Sequence, residues 1–168
     1  EYFGRGPAEN YLDRNAGSMI GLYKSTAEEL YFPYVRPQEN GHHTDTRWVS
    51  LSTGKKGLLI QADNTIGFNA LRNSIEDFDD EEATGLPRQW SNFTPEQVAN
   101  HDEAAAKNVL RRQHHINDIT PRDFVEVCVD LKQQGVAGYD SWGSRPEPAY
   151  TLPANREYNW GFTLIPLK

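Results

Sequence analysis

The stretch D-F-V-E-V-C-V-D-L, residues 123 to 131, decides the fold. In an extended chain Val125, Val127, Val129 and Leu131 share one face, and Glu126, Cys128 and Asp130 share the other. That period of two marks a strand with one side in a core. A second run, E-Y-N-W-G-F-T-L-I (157–165), alternates Tyr158, Trp160, Phe162 and Leu164 with Asn159, Gly161 and Thr163. It should end at Pro166, which cannot donate to a ladder. Shorter strand candidates are 19–23, 47–51, 58–62 and 65–71. The turns G-K-K-G (54–57) and A-D-N-T (62–65) would join neighbouring pairs. Short strands with polar turns predict an all-β, antiparallel sandwich.

The 168 residues suit one domain. With 37% hydrophobic and 11% aromatic residues the chain can fill a core. A net charge of −7 argues against nucleic acid or an anionic membrane as partner. No apolar run approaches transmembrane length. The opening E-Y-F-G-R-G-P has neither an initiator Met nor a basic region followed by an apolar stretch, so it reads as a cut without a signal peptide. The compartment, cytoplasmic or periplasmic, stays open. A single cysteine, Cys128, excludes an internal disulfide.

The middle departs from the strand pattern. The acidic run E-D-F-D-D-E-E (76–82) lacks the D-x-D-x-D-G order that wraps calcium, and reads as a solvated loop. After it, Thr94 can cap, Pro95 suits the first helical position and Gln97 completes a capping box. One helix over 95–110 is predicted, decorating the β domain.

Few residues carry chemistry on their own. The pairs His42-His43 and His114-His115 would point to opposite faces of a strand, so neither chelates by itself. They read as solvated or hydrogen-bonded. Cys128 has Glu126 and Asp130 on its own face; negative neighbours raise a thiol pKa, so an inert buried thiol is expected. Carboxylate pairs such as Glu9 with Asp13, or Glu39 with Asp45, lie in turn-rich loops and read as caps and salt bridges rather than as a glycosidase pair. No nucleophile elbow, phosphate loop or dinucleotide fingerprint is present. Two aromatic loops remain. In Y-F-P-Y-V-R-P-Q-E-N-G (31–41), Asn40-Gly41 predicts a tight turn. In G-Y-D-S-W-G-S-R-P (138–146), Trp142 stands among turn formers. Composition allows Trp142 to plug the end of a core or to stack on the C–H face of a sugar, and does not choose.

Four stretches taken in order resemble one family: G-R-G-P-A-E-N-Y-L-D-R (4–14), P-Y-V-R-P-Q-E-N-G (33–41), P-R-D-F-V-E-V-C-V-D-L-K-Q-Q-G-V-A-G-Y-D-S-W-G (121–143) and Y-N-W-G-F-T-L-I-P (158–166). They are similar to the C-terminal part of the large β-galactosidases of glycoside hydrolase family 2. The resemblance implies a non-catalytic fragment of an enzyme that hydrolyses terminal β-D-galactose from β-galactosides such as lactose, with retention. The catalytic glutamates belong to a barrel domain absent here, so no residue of this chain inherits a catalytic role. Residues 1–168 would be the second half of an antiparallel β super-sandwich of the galactose-mutarotase type, with an insertion at about 76–113. The resemblance makes Trp142 a stacking platform at the substrate pocket, with Asp140 and Ser141 as loop shapers. It places magnesium and sodium in other domains and gives this fragment no cofactor. It implies three partners: the galactoside, the other domains of the same chain and further copies in a homo-oligomer. A free-standing carbohydrate-binding module and a purely structural β-sandwich are the competing readings. Half a sandwich should also expose an apolar face and self-associate.

Overall fold

A computed structural model describes residues 1–35, 37–78, 116–140 and 143–168. The helix expected over 95–110, the second histidine pair, most of the acidic run, and Ser141 with Trp142 lie outside the described residues. Two compact units emerge. The first holds Glu1–Phe32, Asn40–Leu71 and Val125–Lys168; the second holds Pro33–Glu39 and Arg72–Phe124.

The first unit is built on an antiparallel sheet. Its strands are β1 (Tyr2–Gly6), β2 (Met19–Tyr23), β3 (His43–Ser52), β4 (Gly57–Leu71), β5 (Glu126–Asp130) and β6 (Phe162–Leu167), with a single helical turn α1 (Ala27–Leu30) between β2 and β3. The order is β2-β1-β3-β4-β5, and β6 also pairs with β4. The all-β antiparallel expectation therefore holds. The 15-residue β4 organises the sheet. One of its edges takes β3; the other takes β6 along its first half and β5 along its second.

Alternation places the core. Tyr2, Val49, Ile60, Ile66, Phe68 and Ala70 are buried together, and Val127 and Val129 pack against them from β5. These residues are cross-strand neighbours: Tyr2 opposite Val49, Val49 opposite Ile60, Phe68 opposite Val129, and Ala70 opposite Val127. Burying a side chain such as Ile66 or Phe68 stabilises by roughly 1.5–3 kcal/mol.

Three details differ from the sequence reading. The A-D-N-T stretch is not a turn, because β4 runs through it. Thr46 faces Ile66 and Trp48 faces Gln61, so β3 advances two residues while β4 advances five. The polar residues that suggested a turn are the excess of a bulge, which bends a strand without ending it. The C-terminal strand begins at Phe162, leaving Tyr158 and Trp160 outside it, and it includes Pro166. Pro166 pairs with Leu58 from an outer strand, the position where a missing N–H faces away from the ladder. Helix α1 was not foreseen, although T-A-E-E spells its capping box: the Glu29 amide donates to Thr26 Oγ1 at 3.2 Å and the Thr26 amide to Glu29 Oε2 at 2.9 Å. The G-K-K-G turn does join β3 to β4, closed by Thr53 N–H to the Lys56 carbonyl at 2.9 Å. Gly41 adopts the positive φ of +73° that an Asn-Gly pair favours, but residues 37–42 do not form the tight turn expected of it.

In the second unit, Asp77 corrects the picture of a wholly solvated acidic run. It is buried, receives the Ser74 amide at 3.0 Å and is paired with Arg122. The Arg122 guanidinium, with the Ser74 amide, holds its carboxyl below the ordinary carboxylate range against the opposing effect of burial.

Candidate functional site

The loop that follows β5 is fixed from its stem upward. Gly135 is buried and its amide donates to the Tyr150 carbonyl at 2.7 Å. A side chain here would collide with the Asp13 carboxylate, since an added Cβ would stand 2.6 Å from Oδ2. The next two amides both point at that carboxylate: Val136 donates to Oδ1 at 3.0 Å and Ala137 to Oδ2 at 2.8 Å. The Tyr139 hydroxyl reaches Oδ2 at 3.4 Å. Ala137 and Gly138 take positive φ values of 56° and 83°, which turns the chain sharply after the second amide.

Further along, the loop is tied across itself. The Tyr139 amide donates to Ser144 Oγ at 3.0 Å, and the Ser144 amide donates to Asp140 Oδ1 at 3.2 Å. These ties bracket positions 141 and 142. Asp140 caps the Ser144 amide. Trp142, expected as a stacking platform, lies outside the described residues, as does Ser141.

Burial alone would raise the Asp13 carboxyl. The amides of Ala137 and Val136 outweigh it and hold the group below the ordinary carboxylate range. Burial and the adjacent Asp13 charge push the Tyr139 phenol up.

The segment supplying Asp13 is itself held by a buried hub. Asn10 donates from Nδ2 to the Arg5 and Ala8 carbonyls, both at 3.1 Å. Its Oδ1 accepts from the Thr44 amide at 3.0 Å and the Thr44 hydroxyl at 2.6 Å. Its own amide reaches the His42 carbonyl at 2.7 Å. Glu9 Oε2 accepts the Gly41 amide at 2.7 Å. Glu9 and Asp13 thus serve as backbone caps, the role expected of them, and Asp45 pairs with Arg5 at 2.5 Å.

Both rings of the first histidine pair are buried: His43 is hydrogen-bonded, one of the two states expected, and neither ring is solvated. The rings do point to opposite faces: His43 stacks on Phe68 and meets the edge of Tyr2, while His42 stacks on Tyr11. His43 places Nδ1 2.9 Å from the Gly41 carbonyl and Nε2 3.2 Å from the Pro7 carbonyl. Neither ring nitrogen of His42 has a hydrogen-bond partner among the described residues. Burial, with His43 beside it, pulls the His42 pKa down to about 4. Cys128 is half-buried, and its amide donates to Asn69 Oδ1 at 3.3 Å. Among the described residues no group of three or more His, Cys, Asp or Glu side chains is placed to hold a metal ion.

The family model for the beta galactosidase small chain matches residues 1–164. The chain belongs to the beta-galactosidase small-chain family. Similar proteins include a beta-galactosidase of Priestia megaterium, 35% identical over 167 residues, and one of Streptococcus thermophilus, 29% identical over 168 residues. Each alignment covers 99% of this chain and 13% of the relative. A beta-galactosidase of an Arthrobacter strain is 40% identical over 82 residues, covering 45% of this chain and 8% of the relative. This small-chain segment therefore spans about an eighth of the relatives it matches along its whole length.

In the sequence of the small-chain segment Trp142 is conspicuous, whereas Asp13 reads as an ordinary cap. The signal was present. Asp13 closes G-R-G-P-A-E-N-Y-L-D-R, and Val136 and Ala137 stand within the stretch that carries D-S-W. What joins them is a pair of backbone amides, which leave no mark on side-chain identity.

Proposed function

We propose that this chain is the C-terminal part of a β-galactosidase that hydrolyses terminal non-reducing β-D-galactose residues in β-galactosides such as lactose. Within that enzyme residues 1–168 are non-catalytic. They form the second half of a super-sandwich of the galactose-mutarotase type and give one wall of the substrate pocket through the loop carrying Trp142. The catalytic carboxylates, together with magnesium and sodium, belong to other domains of the same polypeptide, and the enzyme works as a homo-oligomer.

The observation that carries this reading is the small-chain match across residues 1–164, with the Trp142 loop tied down on both flanks. The chemistry expected of the indole is modest and specific. Its flat face buries the C–H face of a sugar, while neighbouring polar groups address the hydroxyls. Such stacking acts on binding and on the placement of the leaving group, so it shows in KM before it shows in proton transfer.

The test is Trp142→Ala in the full-length enzyme. KM for lactose should rise about ten-fold, equivalent to ~1.4 kcal/mol of binding. Unchanged KM and kcat would remove the platform role. The isolated segment should not turn over a chromogenic galactoside; hydrolysis that survives rigorous purification would overturn the non-catalytic assignment.

A further inference from the structure

Asp13 does more than fill a turn. Two successive backbone amides aimed at one anion form a nest, and here the anion is a side chain from the other end of the sequence. The cross-ties between Tyr139, Asp140 and Ser144 join the two flanks of the loop to each other. They do not set where it stands. That is fixed at the stem, where Asp13 joins Val136 and Ala137 across more than 120 positions of the chain.

Asp13 is placed from behind. The Arg14 amide donates to the Tyr11 carbonyl at 2.8 Å, Tyr11 is buried against His42, and Asn10 is locked to Thr44 on β3. The stem is shaped to receive it: Gly135 leaves room for the carboxylate, and Ala137 accepts a left-handed conformation unusual for alanine in presenting its amide. Besides its covalent continuity with β5 and the Gly135–Tyr150 bond, the loop stem is thus tied to the sheet through the Asp13 carboxylate.

We propose that Asp13 is the positioning residue of the stem at Gly135, Val136 and Ala137, holding it in the place from which the proposed platform completes the galactoside pocket. This deepens the platform reading and rests on it. Asp13 touches no substrate; it acts through the backbone of Val136 and Ala137. Charge is essential, because both amides need an acceptor at the same moment and the amide of an asparagine offers one oxygen beside a competing donor.

The experiment is a double-mutant cycle in the full-length enzyme with Asp13→Asn, Trp142→Ala and the pair, read as KM and kcat for lactose, with hydrogen exchange of the Val136 and Ala137 amides alongside. Asp13→Asn should speed exchange of both amides, raise KM about ten-fold and leave kcat within about two-fold. In the Trp142→Ala background it should add nothing further. A KM unchanged by Trp142→Ala overturns the platform reading and this inference with it. A KM raised by Trp142→Ala overturns the inference alone if Asp13→Asn leaves KM or the exchange rates unchanged, or if the two effects multiply. Should Asp13→Asn not yield folded enzyme, Tyr139→Phe removes the 3.4 Å tie without touching the backbone bonds. It should raise KM less, again only when Trp142 is present; no rise in KM, or an equal rise without Trp142, counts against the inference.

Discussion

The imidazole of His42 lies over Gly67, in the room left by the missing Cβ of that glycine. Gly67 faces Asp130 across the β4–β5 ladder, so its backbone has no freedom to withdraw. A methyl group at 67 would meet the ring within van der Waals distance. Gly67→Ala should therefore destabilise the fold by about 1–3 kcal/mol, the range for overfilling a packed site. Gly17→Ala is the control, because nothing lies within 4 Å of a Cβ there. Denaturant unfolding of the two variants checks this, and equal stabilities would contradict the packing described.

The same ring makes stability depend on acid. In the folded chain His42 has its pKa pulled to about 4 by burial and by His43. In the unfolded chain it returns to the ordinary 6.5. Above 6.5 neither state binds the proton, so His42 contributes no pH dependence. Between 6.5 and about 4 only the unfolded state binds it, so stability falls as pH falls. Below about 4 both states bind it and the loss is complete, at roughly 3 kcal/mol as an upper value. His43 adds loss in the same direction, since burial holds it below its ordinary value against the pull of the Gly41 and Pro7 carbonyls. His42→Gln should flatten the slope over that window, measured as unfolding midpoint against pH. An unchanged slope would mean that another group carries it.

Asn10 should tolerate almost nothing. All four of its side-chain hydrogen bonds are made inside the protein, to Arg5, Ala8 and both polar groups of Thr44. Asn10→Ala strands several buried partners at once, each costing about 1–3 kcal/mol. Asn10→Asp is the sharper probe: the shape is kept, but a carboxylate oxygen then faces the Arg5 and Ala8 carbonyls with no proton to offer. Both variants should lower the unfolding midpoint, and a wild-type midpoint for Asn10→Asp would refute the assigned orientation of the amide.

How far the sequence discloses this molecule follows from what alternation can and cannot report. Val127, Val129, Phe68 and Ala70 declare their face through period two, and the sheet confirms it. A bulge is invisible to that rule: Asp63 and Asn64 carry the composition of a turn, and only the pairing of Thr46 with Ile66 shows that β4 continues. His42 was hard for a different reason. A histidine pair in a polar-looking stretch resembles a surface, until Tyr11 and Gly67 enclose one ring and Phe68 and Tyr2 the other. Trp142 was conspicuous as an aromatic among turn residues. Asp13, which anchors the same loop, was not, because its partners are backbone amides that any residue supplies.

Strand β2 gives the last prediction. Among the described residues it pairs only with β1, so its outer edge carries free ladder groups. It is also apolar and open: Met19 is 72% and Leu22 68% exposed. Phe3, the cross-strand neighbour of Leu22, extends the exposed apolar surface onto β1. An apolar edge without a charged guard on its own strand is a template for pairing with another chain. The isolated segment should therefore self-associate, seen by light scattering as a mass that rises with concentration. Leu22→Lys places a charge on that edge and should shift the population toward monomer without lowering the unfolding midpoint, since the residue is not part of the core. A monodisperse monomer for the unsubstituted segment, or association unaffected by Leu22→Lys, would show that β2 is not the adhesive edge.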